Sequence, residues 1–186
     1  MKKINLKSIK FDDCNATLQI NKNPANKNEL LIDNQDEQCL NYNFDDTTAV
    51  VSHFNDKVRH VRVPKSVKNG SNECFITEIS DGVFQEAWNI RSINFPSDSF
   101  LRKIGIQSFY KSSIVFVSIP SSVEEISKEA FLLCYELKRV TFAPNSQLKI
   151  IGEKAFAATK IRKFKVPKHV SEIKEGAFRN CERLIE

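Results

Sequence analysis

One arrangement of apolar and polar positions recurs along two thirds of the chain. Six-residue units that begin with Ile and end with Phe occupy residues 79–84, 104–109, 126–131, 151–156 and 173–178, so successive Phe residues lie 25, 22, 25 and 22 positions apart. A small residue or Val precedes each Phe (Val83, Ser108, Ala130, Ala155, Ala177), and a compact residue follows three positions after it (Ala87, Ser112, Cys134, Thr159, Cys181). Five or six positions after Phe comes an aliphatic residue: Ile90, Ile114, Leu137, Ile161 or Leu184. Each unit then enters an alternating segment that stops at proline. These segments are Ile93-Asn94-Phe95-Pro96, Val117-Ser118-Ile119-Pro120, Val140-Thr141-Phe142 with Pro144, and Phe164-Lys165-Val166-Pro167, with Val61-Arg62-Val63-Pro64 opening the series. Alternation with period two predicts strands with one buried face, and a terminal proline removes the N–H that a ladder needs to continue.

Each unit therefore reads as strand, turn, short helix or turn around the Phe, and return. No such unit can bury its apolar face alone, so the copies must stack their Phe, Ile and small residues into one continuous core. The small slot after Phe is where neighbouring coils approach most closely. The first unit is longer than the rest, because residues 67–77 are inserted, with Asn69-Gly70 offering a tight hairpin turn.

Before Val58 the repeat disappears. Two hairpin-like stretches stand out there, residues 9–20 and residues 42–52, each containing Phe-Asp-Asp (Phe11 onward and Phe44 onward). Residues 21–39 are polar and Asn-rich and read as a loop or linker. A solenoid needs a terminal cap over its first coil, and strands within residues 40–54 suit that role. The expected division is residues 1–57 as a β-hairpin cap region with a polar linker, and residues 58–186 as a repeat domain of about five units.

The repeat resembles the BspA-like leucine-rich repeats, whose unit reads roughly Ile-Pro-x-x-Val-x-x-Ile-Gly-x-x-Ala-Phe-x-x-Cys-x-x-Leu-x-x-Val. Ile119, Pro120, Val123, Ile126, Ala130, Phe131, Cys134, Leu137 and Val140 match it nearly throughout, as does the stretch from Val166 to Leu184. The resemblance covers residues 58–186. It implies an α/β fold: a right-handed leucine-rich-repeat solenoid with a parallel β-sheet on its concave face and short helices or turns opposite, preceded by a β-hairpin cap. It also implies a binding fold without catalytic machinery, with surface adhesins among its members.

Composition removes several other classes. The longest stretch without a charged residue, residues 112–123, is 12 residues interrupted by serines and a proline, against about 20 apolar residues for a membrane helix. The basic N-terminus runs into Asp12 and Asp13 without the apolar core of a secretory signal, which makes a cytoplasmic address the default. The five cysteines (14, 39, 74, 134, 181) are widely spaced and suit neither a disulfide framework nor a zinc site. Cys134 and Cys181 share the compact slot of Ala87, Ser112 and Thr159, so they read as packing residues. His53, His60 and His169 form no metal-binding spacing, and Gly82, Gly105, Gly152 and Gly176 fall in repeat turns rather than in a phosphate loop. No enzyme, cofactor, metal or small-molecule substrate is expected.

Charge sharpens the picture further. Residues 1–56 carry 6 Lys against 9 acidic residues, whereas residues 57–186 carry 22 basic against 14 acidic. Strand alternation places two columns outward: His60, Ser92, Phe116, Arg139 and Lys163, and Arg62, Asn94, Ser118, Thr141 and Lys165. Arg59, Arg91, Val115, Lys138 and Arg162 flank them. The result is a basic face with an apolar centre at Val115 and Phe116, the kind of anchor that protein interfaces use. Phe178, Leu184 and Ile185 form a second candidate contact, because no polar cap follows the last unit. The expected function is a non-enzymatic interaction or scaffold module that binds an acidic protein surface, within a larger assembly or as a second copy. The alternative is a surface adhesin exported without a signal peptide. Nucleic acid ranks behind both, because aromatic residues do not interleave with the basic columns. A further option is that the acidic stretch 29–56 shields the basic face within the chain.

Overall fold

The computed structural model describes residues 19–20, 30–31, 39–55 and 57–185. In chain order its strands are β1 (Gln19–Ile20), β2 (Leu30–Leu31), β3 (Leu40–Asp45), β4 (Thr48–Phe54), β5 (His60–Arg62), β6 (Ser66–Asn69) and β7 (Asn72–Ile79). There follow β8 (Ser92–Asn94), β9 (Lys103–Ile104), β10 (Phe116–Ile119), β11 (Glu125–Ile126), β12 (Arg139–Phe142), β13 (Ile150–Ile151) and β14 (Glu172–Ile173). The chain winds through two ladders. One is the parallel sheet β5–β8–β10–β12; the other is a longer sheet in which β4, β7, β9, β11, β13 and β14 are parallel, with β3 antiparallel on β4.

Register follows the repeat. Val61, Ile93, Val117 and Val140 pair in sequence across the first ladder, and Ile79, Ile104, Ile126, Ile151 and Ile173 across the second. Between them runs the phenyl spine: Phe84–Phe109 and Phe109–Phe131 stack with centroids 4.8 Å apart, and Phe131–Phe156 at 5.2 Å, with interplanar angles of 5–11°. The ring spacing equals the strand spacing of a sheet, about 4.8 Å, so one stack serves both ladders without strain.

The crossovers around each Phe correct the α/β expectation in part: among the described residues there is no α-helix, and the crossovers are consecutive turns. The reason lies in where their N–H groups go. Residues two before and two after every spine Phe have φ between 52° and 67° (Gly82 and Glu86, Gln107 and Lys111, Glu129 and Leu133, Lys154 and Ala158, Gly176 and Asn180). Alternate N–H groups therefore point along the solenoid. Phe84, Phe109, Phe131 and Phe156 each donate to the carbonyl just before the next Phe, at 2.6–2.8 Å, while the intervening N–H groups close three-residue turns such as Ser112 N to Phe109 O at 3.0 Å. Each left-handed non-glycine residue costs roughly 1–2 kcal/mol; the axial hydrogen bonds, unavailable to a helix, offset it.

Two local departures matter for the surface. No strand forms at residues 162–166, although the sequence alternates there as in its neighbours. Phe164 fills a slot that holds Val61, Ile93, Val117 or Val140 elsewhere, and its ring wedges among Phe142 (5.5 Å), Phe156 (5.2 Å) and Phe178 (4.6 Å), so the backbone leaves the ladder. The inserted segment is the hairpin β6–β7, whose two-residue loop is Gly70-Ser71, one position later than expected, with Gly70 at φ 62°. At the other end β3 and β4 form the expected hairpin, and Phe54 lies 4.8 Å from Phe84. The stretch at 9–18 and most of the linker at 21–39 lie outside the described residues; within the latter, β2 pairs antiparallel with β1.

Candidate interaction surface

The outer face of the first ladder is built by the alternation of its strands. The pairings align His60, Ser92, Phe116 and Arg139 in one column, Arg62 with Asn94, and Ser118 with Thr141. A further column comes from the residues just before the strands: Arg91 N donates to Arg59 O (2.7 Å), Val115 N to Arg91 O (2.9 Å) and Lys138 N to Val115 O (2.9 Å). Arg59, Arg91, Val115 and Lys138 thus stand side by side. Phe116 is 41% exposed at the middle of this face, with half-buried Val115 beside it. Arg62, Arg91, Lys138 and Arg139 are exposed, and no ion pair engages them among the described residues.

Two placements differ from the sequence reading. Ser92 is only 2% exposed: His60 Nδ1 and Ser92 Oγ share a hydrogen bond of 2.8 Å, so the imidazole lies over the hydroxyl. Arg162, Lys163 and Lys165 are exposed as expected, on a segment that forms no strand, although Ile185 N donates to Arg162 O at 3.0 Å as Val115 N does to Arg91 O.

The acidic residues explain why the face is basic. None lies in the segments 59–63, 91–95, 115–119, 138–142 or 162–166. They lie at the second ladder and the turns, where coil spacing suits inter-coil pairing: Glu78 with Lys103 (3.0 Å), Glu86 with Lys111 (3.4 Å), Glu124 with Arg102 and Lys149 (both 2.5 Å), and Glu153 with Lys128 (3.0 Å), to which its sequence neighbour Lys154 adds a pair within the coil (2.9 Å). Hydrogen bonds from Lys154 and Lys128 hold the Glu153 carboxyl well down, to about 2, and those from Lys149 and Arg102 lower Glu124. Glu136 is the acid nearest the basic columns. It pairs with Lys160 at 2.9 Å, which with the more distant charges of Lys138 and Arg91 lowers its carboxyl.

The compact slot behaves as packing. Cys134 Sγ donates to Phe109 O at 2.9 Å, and burial pushes its thiol up to about 12, so no thiolate is available for nucleophilic chemistry. Cys181 repeats the contact to Phe156 O at 3.1 Å. Among the described residues no group of three or more His, Cys, Asp and Glu is arranged for a metal ion, and no helix is long and apolar enough to cross a membrane. At the last coil Phe178 and Leu184 are half-buried, Ile185 is exposed, and Ile173 is 48% exposed where its ladder partners are fully buried.

One feature of the rim escaped the sequence reading. Trp88 and Tyr135, each four residues past a spine Phe, are 57% and 55% exposed. The signal was present in the 25 and 22 alternation. The longer units carry an additional residue at this edge, Asn89 or Glu136, and the pattern truly recurs every two coils.

A BspA-type leucine-rich repeat region matches residues 75–185 in six copies. The chain is similar in structure to a leucine-rich repeat protein from Bacteroides ovatus ATCC 8483 (29% identity, TM-score 0.66, 78% of this chain and 38% of that one). It is also similar to the T. pallidum leucine-rich repeat protein TpLRR (22%, TM-score 0.71, 79% and 67%) and to the pneumococcal vaccine antigen PcpA (21%, TM-score 0.58, 76% and 46%). A search of curated proteins returns no significant match. The chain thus spans well under half the length of the Bacteroides ovatus protein. The written repeat, the stacked coils and the match over residues 75–185 agree, and the chain belongs to the BspA-type leucine-rich repeat family.

Proposed function

We propose that the chain is a non-enzymatic protein–protein interaction module that binds an acidic protein surface through the outer face of its first ladder. The observation that carries this reading is the segregation of charge. Glu78, Glu124 and Glu153 are held in ion pairs at the second ladder and turns, while Arg62, Arg91, Lys138 and Arg139 stand exposed around Phe116 with no ion pair among the described residues and only the more distant charge of Glu136 acting on Arg91 and Lys138. Exposed aromatic residues ringed by arginine are typical energetic centres of interfaces. In this reading the first ladder is the concave side of a right-handed solenoid, β3–β4 caps the first coil, and Arg59, His60, Arg162, Lys163 and Lys165 widen the basic field. The last coil, with Phe178, Leu184 and Ile185, packs against further protein.

The test is a capture experiment from the native source with the parent chain and the double variant Phe116→Ala, Arg139→Glu. Both side chains are exposed, so the fold tolerates the change. Partners held by the parent and released at least tenfold by the variant, with binding weakened by salt as exposed charges require, support the reading. Full retention by the variant overturns it. Protease accessibility on intact cells separates a cytoplasmic module from a surface adhesin.

A further inference from the structure

Beside the basic face the two-coil alternation builds a second pattern. Trp88 and Tyr135 occupy equivalent rim positions two coils apart, 47 residues apart in sequence. In a chain with one Trp and three Tyr, two of these four residues are spent here. Neither ring contacts another aromatic ring among the described residues. Between them the short coil supplies half-buried Ser113, whose N–H donates to Ala87 O at 3.1 Å and holds that coil down against its neighbour. Three residues past each ring stands an exposed cation, Arg91 after Trp88 and Lys138 after Tyr135. The rim therefore carries two exposed aromatic side chains two coils apart, a half-buried serine on the coil between them and an exposed cation three residues past each ring.

The spacing of the two rings selects among extended ligands. Phe84–Phe109 and Phe109–Phe131 are each 4.8 Å apart, so Trp88 and Tyr135 stand on coils separated by about 10 Å, twice a strand spacing. A polyproline II segment rises about 3.1 Å per residue with three residues per turn, so residues on one of its faces recur every 9 Å or so. A β-strand presents same-face residues about 7 Å apart, which misses the second ring. An α-helix spans about 10.5 Å from i to i+7. It also places its i+3 and i+4 side chains between the two rings, where Ser113 offers no apolar partner. Aromatic-walled slots are a general means of reading proline-rich segments.

We propose that this rim docks an acidic, proline-containing segment of a partner protein in the polyproline II conformation, lying along the solenoid axis across the coils of Phe84, Phe109 and Phe131. Prolines at every third position seat against Trp88 and Tyr135, and acidic residues beside them face Arg91 and Lys138. Glu136 pairs with Lys160 at 2.9 Å and is also drawn by the charges of Lys138 and Arg91, so acidic residues of the segment take over part of that interaction. The inference rests on the reading of the adjoining basic face as an interface for an acidic partner.

Trp88 is the chain's single tryptophan, so its own fluorescence reports occupation of the rim. The probe is a synthetic peptide of about twelve residues repeating Pro-Glu-Ala, compared with Ala-Glu-Ala and Pro-Lys-Ala peptides of equal length. The full chain should bind the first peptide with a change in Trp88 emission, and bind either of the others at least tenfold more weakly. Tyr135→Ala should weaken the first peptide about tenfold, and Phe116→Ala with Arg139→Glu should leave it bound. An absent emission change, equal binding of Ala-Glu-Ala, or indifference to Tyr135→Ala overturns the inference. If acidic peptides instead bind irrespective of proline and are lost in the Phe116 and Arg139 variant, the rim inference fails while the basic-face reading stands.

Discussion

The coils around Phe131 and Phe178 lie 47 residues apart and share Ile, Ala, Phe, Cys and Leu at the same slots. Their environments nevertheless diverge. Phe131 is stacked on both sides, by Phe109 and Phe156, whereas Phe178 has Phe156 on one side at 5.5 Å and the edge of Phe164 at 4.6 Å. Ile126 is fully buried; Ile173 is half exposed. Cys134 is sealed and Cys181 is not. In a fold where each coil touches only its neighbours, burial is a property of the stack rather than of the residue.

The largest expected effect tests that difference directly. Phe131→Ala should destabilise by about 3–5 kcal/mol, as for any aromatic ring removed from a core; Phe178→Ala should cost less than half as much. Urea midpoints compare the two, and equal losses would break the comparison. Next come the glycines. A Cβ at Gly152 would lie 2.5 Å from Lys128 N and Ser127 C, backbone atoms that cannot yield, whereas at Gly176 its nearest neighbour is Lys154 Cγ at 3.4 Å. Gly152→Ala should therefore cost about 3 kcal/mol through overpacking, and Gly176→Ala about 1 kcal/mol, because only its φ of +65° is penalised.

Acid should act chiefly on the interior coils. Ion pairing lowers the Glu153 carboxyl from 4.5 to about 2 in the folded chain. A lowered folded value means that the unfolded chain binds more protons, so this contribution is present above about pH 4.5 and is lost as pH falls toward 2. Thermal melts from pH 7 to pH 2 should show the decline only in that lower window, with a shallower fall in Glu153→Gln. The smallest effect is at Ser108, whose buried hydroxyl has no hydrogen-bond partner in a slot that holds Ala130, Ala155 and Ala177 elsewhere. Ser108→Ala should stabilise by about 1 kcal/mol, read as a higher urea midpoint.

Much of this was legible along the chain. The Phe interval, the compact slot and the strand-ending prolines foretold the spine and the first ladder, because each is a repeated demand for the same space; the second ladder was not legible, because strands of two residues such as Lys103–Ile104 and Glu125–Ile126 are too short to show alternation. The hairpin within residues 40–54 was legible from Phe44-Asp45-Asp46 leading into Val50-Val51, and its turn is Asp46-Thr47. Legibility failed where an outcome depended on several coils at once. Alternation predicted a strand at 162–166, but Phe164 found room among three other rings and drew the backbone away. Ser92 was assigned outward by parity, yet the His60 ring from the adjoining coil covers it. No local pattern marks the rim aromatics Trp88 and Tyr135; only the two-coil period does.

By itself the sequence determined the repeat, the residues that stack and the sign of charge on each stretch, since these follow from periodicity and side-chain chemistry. Tertiary structure alone decided the rest. It traded helix for axial hydrogen bonds in the crossovers, because stacked coils offer carbonyls that an isolated segment lacks. It also paired Glu78, Glu86, Glu124, Glu136 and Glu153 with lysines or Arg102 one coil away, because charges 22 to 25 residues apart become neighbours only when the coils stack.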